Sequence, residues 1–492
     1  MTLRSQVAVP KLVVKIIDRL IGGGAKDVLI VGGFVRDVLL GIQSKDVDLE
    51  VYGLSYAEVE RILAPHFRVN LVGQSFGVIK VENTVDVALP RRESKNGIGH
   101  KGFSVDARCD IEPAEAFSRR DFTINAIGMR LNGEFYDPFD GIGDLRRKLL
   151  RATSPAFKDD PLRVLRGMQF ASRFGFSMDA QTVEFCKDVY DEYPTLSQER
   201  VYMEWEKWAL KGLYPDLGLD VLLQTGWINA FPELAAIVGC PQNPQWHPEG
   251  DVWTHTKQVC CEMARSLNAL ESTLSSDERQ ALMFAALCHD FGKPSTTLLD
   301  ENGVLRSYGH AEAGAPLAHE FMTRMKAPFR IVDMVVPLVK NHMATQGVPE
   351  SGPSKRAVRR LALKLFPATI RLWALLCQAD AFGCGVPERY LTRDSVPSVY
   401  DPDSIRQERE NHKIRFQADV WLSVAEKLEI KDTKPEQLIQ GRDLIQLGIR
   451  PGPIFSKILN AVFERQLDGE FETKEDGQKV LQEVLRAEGL VE

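Results

Sequence analysis

The chain has 492 residues, enough for several domains, and 44% of them are hydrophobic, an ordinary share for a globular protein. A formal net charge of -7 and a pI of about 5.9 exclude a general polycation, so nucleic acid must be met by a local basic surface. No run reaches the ~20 apolar residues that span a bilayer, no secretory pattern opens the chain, and the 8 cysteines form no C-x-x-C pair, so the expectation is a cytoplasmic protein with reduced thiols and no membrane partner.

The apolar positions from Leu12 to Ile21 are interrupted by Lys15, Asp18 and Arg19, the pattern of an amphipathic helix. Val28–Val31 reads as a short strand ending at Gly32-Gly33, and Phe34–Leu40 as a helix stopped by Gly41. Val47–Tyr52 reads as a strand and Ser55–Leu63 as a helix with Ser55 at its N-cap. Strand-like runs follow at Arg68–Val72, Phe76–Val81, Val85–Leu89 and Phe122–Leu131. Between the last two, Arg91 to Ser118 is polar and aperiodic, long for a loop, and is expected to be mobile and functional. From Pro161 onward helical patterns dominate, with breaks near Pro194, Pro215, Pro241–Pro248, Gly303, Pro349–Pro353 and Val396–Pro402. The fold class is therefore α+β: an N-terminal head with a mixed β-sheet, then an all-α body.

The most informative stretch runs from Val31 to Val51. Gly32 and Gly33 let backbone N–H groups approach phosphate oxygens closely. Asp46 and Asp48 stand two residues apart, so on a strand both carboxylates project from one face. Paired carboxylates of this kind hold the two magnesium ions of phosphoryl and nucleotidyl transfer. Asp86, in the separate strand V-D-V-A-L, is a candidate third carboxylate. An isolated D-x-D is more often a turn residue and a surface charge; the preceding glycines and Arg36-Asp37 at this spacing reverse that reading.

GGFVRDVLLG with KDVDLEV resembles the phosphate-binding and metal-binding elements of the class II tRNA nucleotidyltransferases, the CCA-adding enzymes, whose head is shared with bacterial poly(A) polymerases. SRRDFTINAIGM (118–129), DPFDGIGDLRRKLLR (137–151) and DDPLRVLRGMQFASRFGF (159–176) are similar to that family's following motifs, in the same order. The resemblance implies that Arg36, oriented by Asp37, adds a guanidinium to the triphosphate site, and that Arg120, Asp121 and Asn125 contact sugar and phosphate, with Thr123 and Ile127 left to packing. It further implies that Asp160 and Arg163, on one helix face at i, i+3, read the Watson–Crick edge of the incoming base, with Arg166 one turn on at the same nucleotide site. Read alone, Asp160 before Pro161 is a helix N-cap, and the two roles are compatible. The family pattern has Glu-Asp where this chain has Asp159-Asp160.

The 9 histidines are not scattered evenly. His255, His289-Asp290, His310, His342 and Asp380 follow the order of an HD phosphohydrolase domain, and the resemblance implies one or two divalent ions of Mn, Ni, Co, Fe or Zn. Lys293 is placed to meet a phosphate; His66, His100, His319 and His412 read as ordinary core or surface residues. In CCA-adding enzymes with such a domain, the activity implied is 2′,3′-cyclic phosphodiesterase, 2′-nucleotidase or phosphatase.

Toward the C-terminus, Gly448 closes one helix, Pro451-Gly452-Pro453 opens the next, and Lys457 one turn in suits an RNA phosphate. The basic run Lys355–Lys364 is a second candidate for tracking tRNA. The expected order is a nucleotidyltransferase head (1–152), a helical neck (153–245), an HD domain (246–385) and a C-terminal tRNA-binding body (386–492). The expected partners are tRNA, CTP and ATP. Rivals are a poly(A) polymerase, a CC- or A-adding specialist, and a metallophosphohydrolase whose head only binds.

Overall fold

The computed structural model describes residues 9–44, 46–71, 77–95, 103–107, 110–346, 348–349, 352–384 and 417–491. Val72, Phe76, His100, His412 and the break at Val396–Pro402 lie outside the described residues. The chain divides into two compact units, Met1–Phe231 and Pro232–Glu492.

In the first unit, helix α1 (Lys11–Gly22) buries Val13, Ile16, Ile17 and Leu20, the i, i+3, i+4, i+7 stripe of an amphipathic helix. Strand β1 (Asp27–Val31) ends at Gly32, whose φ of +73° turns the chain into α2 (Gly33–Leu39). Strand β2 (Val47–Tyr52) and helix α3 (Tyr56–Leu63) follow, the latter started by a capping box between Ser55 and Glu58. Strands β3 (Val69–Asn70), β4 (Val78–Val81) and β5 (Val85–Ala88) complete one side of the sheet.

The stretch expected to be a mobile loop holds structure instead. An antiparallel ribbon of β6 (Arg91–Lys95) and β7 (Phe103–Ala107) leads to α4 (Pro113–Ser118). Its alternation is too polar to give a strand signal, because a two-stranded ribbon need not bury either face. The strand expected over Phe122–Leu131 is also corrected: Thr123–Asn125 form a 3₁₀ turn, and only Gly128–Met129 (β8) pair, with β1 and with β9 (Phe135–Tyr136). A short buried apolar run does not distinguish strand from turn by periodicity. The main sheet has the order β3-β4-β5-β2-β1-β8-β9, parallel only between β2 and β5.

After α5 (Gly141–Arg147), the neck is built from α6 (Leu162–Phe174), α7 (Ala180–Asp188), α8 (Gln198–Lys211) and α9 (Pro215–Gln224). Helix α6 packs on α8 and α9, and Trp205, Trp208 and Phe231 meet edge to face at 5.2–5.3 Å between centroids.

The second unit opens with α10 (Pro232–Ile237) and builds around α11 (Val252–Ala269), α12 (Ser276–Cys288), α13 (Lys293–Thr296), α14 (His310–Arg324), α15 (Phe329–Asn341), α16 (Lys355–Leu365) and α17 (Ile370–Gly383). Helices α18 (Gln417–Lys427), α19 (Gly441–Gln446), α20 (Pro453–Leu467) and α21 (Lys474–Ala487) follow, the last two closing on Ile458, Val462, Leu481 and Leu485. The basic run of α16, expected to be a candidate for RNA tracking, is exposed in part and also forms ion pairs within the second unit. Arg356 pairs with Asp468 (2.9 Å), Arg359 with Glu472 (2.7 Å), and Arg360 with Glu464 and Asp468 (2.6 and 3.0 Å). Lys457 is likewise taken by Glu488. Among the described residues no single helix is long and apolar enough to cross a membrane.

Candidate active sites

The head site forms where β1 ends and β2 begins. Asp48 lies opposite Val31 on β1 and opposite Asp86 on β5, so the parallel register sets two carboxylates side by side. Asp46 stands exposed just before β2. Partial desolvation, then Asp86 and Asp46, raise the pKa of Asp48, against the pull of Arg120 and Lys80. Lys80 sits 3.1 Å from Asp86. A Cβ at Gly32 would lie 3.3 Å from Asp48 Oδ2 and 3.6 Å from Arg120 Nη1, so the glycine keeps the approach to that carboxylate open. The carboxylates of Asp46, Asp48 and Asp86 offer an all-oxygen donor set that fits a hard divalent cation.

Behind them lies a layer that sequence reasoning in part misassigned. Glu50, two residues beyond Asp48 on the same face, accepts from Arg120 Nη2 (2.8 Å) and from the Tyr52 hydroxyl. The sequence reading passed over Glu50, although the i, i+2 series of Asp46 and Asp48 points to it. Arg120 also lies over the Phe117 ring at 4.8 Å. Arg36, expected at the triphosphate, is 5% exposed and turned inward. It donates to Asp37 Oδ1 (2.6 and 2.8 Å) and Asn125 Oδ1 (2.7 Å) and packs against Phe170 and Phe174. Burial lowers the pKa of the guanidinium, against the opposing pull of Asp37, and the contacts with the rings tie α2 to α6. Asn125 passes the contact on by donating to Asp121 Oδ1 (2.9 Å). Asp121 Oδ2 takes Arg166 Nε (2.8 Å). Burial alone would raise the Asp121 carboxyl, but Arg166, the Asn125 amide and Arg163 bring it down to about 2.

At the start of α6, Asp160 Oδ1 accepts the Leu162 N–H at 3.2 Å, the capping contact its sequence suggests. Its Oδ2 accepts from Arg200 Nη2 at 2.9 Å. Arg163 donates Nη1 to the Ala156 carbonyl and Nη2 to the Arg119 carbonyl, both at 2.7 Å. Nothing local in the sequence marks Arg200, which comes from α8, 40 residues on.

In the second unit, the six residues of the ordered histidine–aspartate set converge. His255 lies on α11, His289-Asp290 just beyond α12, His310 at the start of α14, His342 just beyond α15 and Asp380 on α17. His255 Nε2 is 3.0 Å from Asp380 and 3.3 Å from His289 Nε2. His310 Nε2 is 3.1 Å from His342 Nε2. Asp290 stands between the pairs: Oδ2 lies 3.1 Å from His289 Nε2, and Oδ1 lies 3.4 Å from His310 Nε2. Lys293 meets Asp290 Oδ2 at 2.7 Å and donates to Gln242 Oε1 at 2.6 Å.

The tautomers follow from the outer contacts. His289, His310 and His342 each direct Nδ1 at the carbonyl three residues earlier, of Ala286, Ser307 and Val339, at 2.6–2.9 Å. A carbonyl only accepts, so Nδ1 carries the proton and Nε2 presents a lone pair inward. His255 differs: carboxylates face both its nitrogens, Glu249 Oε1 at Nδ1 (2.9 Å) and Asp380 Oδ1 at Nε2 (3.0 Å), so its Nε2 must lose a proton before it can bind an ion. Nε2 atoms set against one another at 3.1–3.3 Å, around a buried carboxylate, fit a divalent transition metal. Burial and the neighbouring His289 lower the His342 pKa to about 4. Burial opposes the charge on His255, yet Asp380 and Glu249 raise it to about 9. Two triads, His255–His289–Asp290 and Asp290–His310–His342, place their ligand atoms within 4.8 Å of one another, and His247, Glu249 and Cys384 gather behind His255. Glu249 escaped the sequence reading because it belongs to no histidine motif; His319 is exposed, as expected.

Residues 28–151 match the poly A polymerase head domain and residues 252–363 match the HD domain. A multifunctional CCA protein of Tolumonas auensis is 34% identical over 386 residues, covering 76% of this chain and 89% of the relative. That of Shewanella frigidimarina is 39% identical over 322 residues, covering 64% and 73%. The chain belongs to the multifunctional CCA protein family. The fold of this family member is also that of the Bacillus stearothermophilus CCA-adding enzyme solved with CTP (TM-score 0.60, 22% identity, 97% of this chain and 98% of that one). The Thermotoga maritima CCA-adding enzyme solved with tRNA shares it as well (TM-score 0.56, 20% identity, 97% and 96%). Both halves of the family's chemistry, a nucleotidyltransferase head and an HD domain, are thus present in one chain.

Proposed function

We propose that the protein adds C and A to the 3′ end of tRNA from CTP and ATP without a nucleic-acid template, in the cytoplasm. The RNA 3′-hydroxyl attacks the α-phosphorus, the bond to the β-phosphate oxygen breaks, and pyrophosphate leaves. The observation that carries this reading is Asp48 beside Asp86 on the parallel β2–β5 pair, next to Asp46 and the open backbone at Gly32. Magnesium held by Asp46 and Asp48 supplies charge neutralisation of the triphosphate and acidifies the attacking hydroxyl. Gly32 and Gly33 present backbone to the phosphates, Arg120 and Asp121 fix the surface beside them, and Asp160 and Arg163 read the base. Residues 1–152, 153–245, 246–385 and 386–492 serve as head, neck, HD domain and tRNA-binding body.

The relatives' name and the solved complexes with CTP, ATP and tRNA support this reading over a poly(A) polymerase. The experiment is to offer tRNA ending before the first C, after C, and after CC, with labelled CTP and ATP singly and together. Stepwise completion of CCA on all three is expected; incorporation confined to the CC-ended form, or long A tracts on arbitrary RNA, would overturn it.

The second site has its own reading. His255, His289, Asp290, His310, His342 and Asp380 hold divalent transition metal, which supplies a water nucleophile at neutral pH, and the site hydrolyses 2′,3′-cyclic or 2′-phosphate ends. The Nε2 atoms set against one another around Asp290 support it. Unchanged hydrolysis of 2′,3′-cyclic AMP by an H289A/D290A variant would sink it.

A further inference from the structure

The CCA reading leaves one question open within the neck. Cytosine and adenine share an exocyclic amine on the Watson–Crick edge, where uracil and guanine carry a carbonyl oxygen. A site that accepts the first pair and rejects the second must present an acceptor and no donor at that point. An ionised carboxylate, which only accepts, meets the requirement while one of its oxygens is aimed at that point; turned away, it no longer favours the amine over the carbonyl.

We propose that Arg200 is the positioning residue that keeps Asp160 an acceptor, and that it thereby enforces amine-bearing bases. The inference rests on the CCA reading and on Asp160 as base reader. Asp160 is pinned at both oxygens: Oδ1 by the Leu162 N–H, which belongs to the helix it caps, and Oδ2 by Arg200 Nη2 from a different helix. The first contact fixes the carboxylate to α6, and the second fixes its rotation about the Cβ–Cγ bond. Each oxygen has a lone pair left for an incoming N–H.

Arg200 is itself held for this task. It sits in the first turn of α8, where its N–H is capped by Ser197 Oγ at 3.3 Å. One turn on, Glu204 is 2% exposed and faces Arg166 at 4.0 Å. Helices α6 and α8 therefore face each other with crossed charges, Asp160 to Arg200 and Arg166 to Glu204. Arg200 Nη1 is a buried nitrogen with no hydrogen-bond partner among the described residues. A buried, unpaired donor beside the base reader is costly to keep for stability alone. It is explained if the guanidinium serves the bound nucleotide.

The experiment compares wild type, R200A and R200K on tRNA ending before the first C, measuring kcat and KM for CTP, ATP, UTP and GTP separately. R200A is expected to lower the preference for CTP over UTP by about tenfold or more, the scale of one misplaced hydrogen-bond pair. The loss appears as faster UMP and GMP incorporation relative to C and A. R200K, which keeps the charge but not the fixed fork, falls between the two. Wild-type discrimination in R200A or R200K, or an equal loss of kcat for all four nucleotides, overturns the proposal. A wild-type enzyme that fails to add C and A defeats the CCA reading; one that adds them while the variants discriminate normally defeats only the role of Arg200.

Discussion

The two candidate centres solve the problem of holding a metal in opposite ways. In the head, Asp46 and Asp48 are exposed carboxylates at the start of the central strand β2, set by strand register with Arg120 beside Asp48. In the HD site, the ligating groups are buried histidines and aspartates, and each described histidine is oriented by an acceptor on its far nitrogen. A hard cation that arrives and departs with a triphosphate suits an open, all-oxygen site, whereas a resident transition metal suits a closed, preorganised nest. The difference teaches that exposure, not only ligand type, separates a site for a substrate-borne ion from a site for a resident one.

The sharpest way to break this comparison is D48N. Nucleotide addition should fall by about a thousandfold or more, since the carboxylate is lost where charge is neutralised, while hydrolysis of 2′,3′-cyclic AMP should stay at wild-type level. Residual addition above a tenth of wild type would remove Asp48 from the centre. The converse variant, H289A/D290A, should lose its copurifying metal by elemental analysis and keep CCA addition.

A finer cut is E249Q. Glu249 touches His255 from outside the ligand set, so the substitution should weaken metal affinity by about ten- to a hundredfold, read by competition with a chelator. Unchanged affinity would show that His255 needs no outer carboxylate.

The smallest effect concerns pH. The folded-state pKa of Asp121, about 2, lies below the ordinary aspartate value of 3.8. Its contribution is therefore complete above the unfolded value and is lost as pH falls through the folded one. The stability gap between wild type and D121N should narrow by about 2 kcal/mol from pH 5 to pH 2, measured by urea denaturation. A gap that is flat with pH would mean that the Arg166 pair contributes nothing.

These effects also mark what sequence could and could not reveal. Asp46 and Asp48 were legible because strand periodicity acts over two residues. Asp86 was legible as a candidate, but its place beside Asp48 depends on a parallel pairing of strands 38 positions apart (48 to 86), which no local pattern encodes. The ordered histidines were legible as a set, while Glu249 and Arg200 act through contacts with no signature of their own. The cations of α16 show a limit of a plain kind: a basic helix face reads alike whether it meets water, RNA or, as in part here, acidic side chains around α20 and α21. Arg36 misled because its motif places it near phosphate, whereas its aromatic neighbours on α6 draw it inward.

The i to i−3 contacts of His289, His310 and His342 bear on how the protein comes to be folded. Each ring is aimed by the turn of chain that carries it, within three residues. Such turns form in well under a millisecond, long before distant helices find one another. The rings then arrive at assembly already showing the correct edge, and only His255 waits for a residue six positions away to set its own. Convergence of the helices is left as the slow step, and an ion present at that moment meets ligands already facing it.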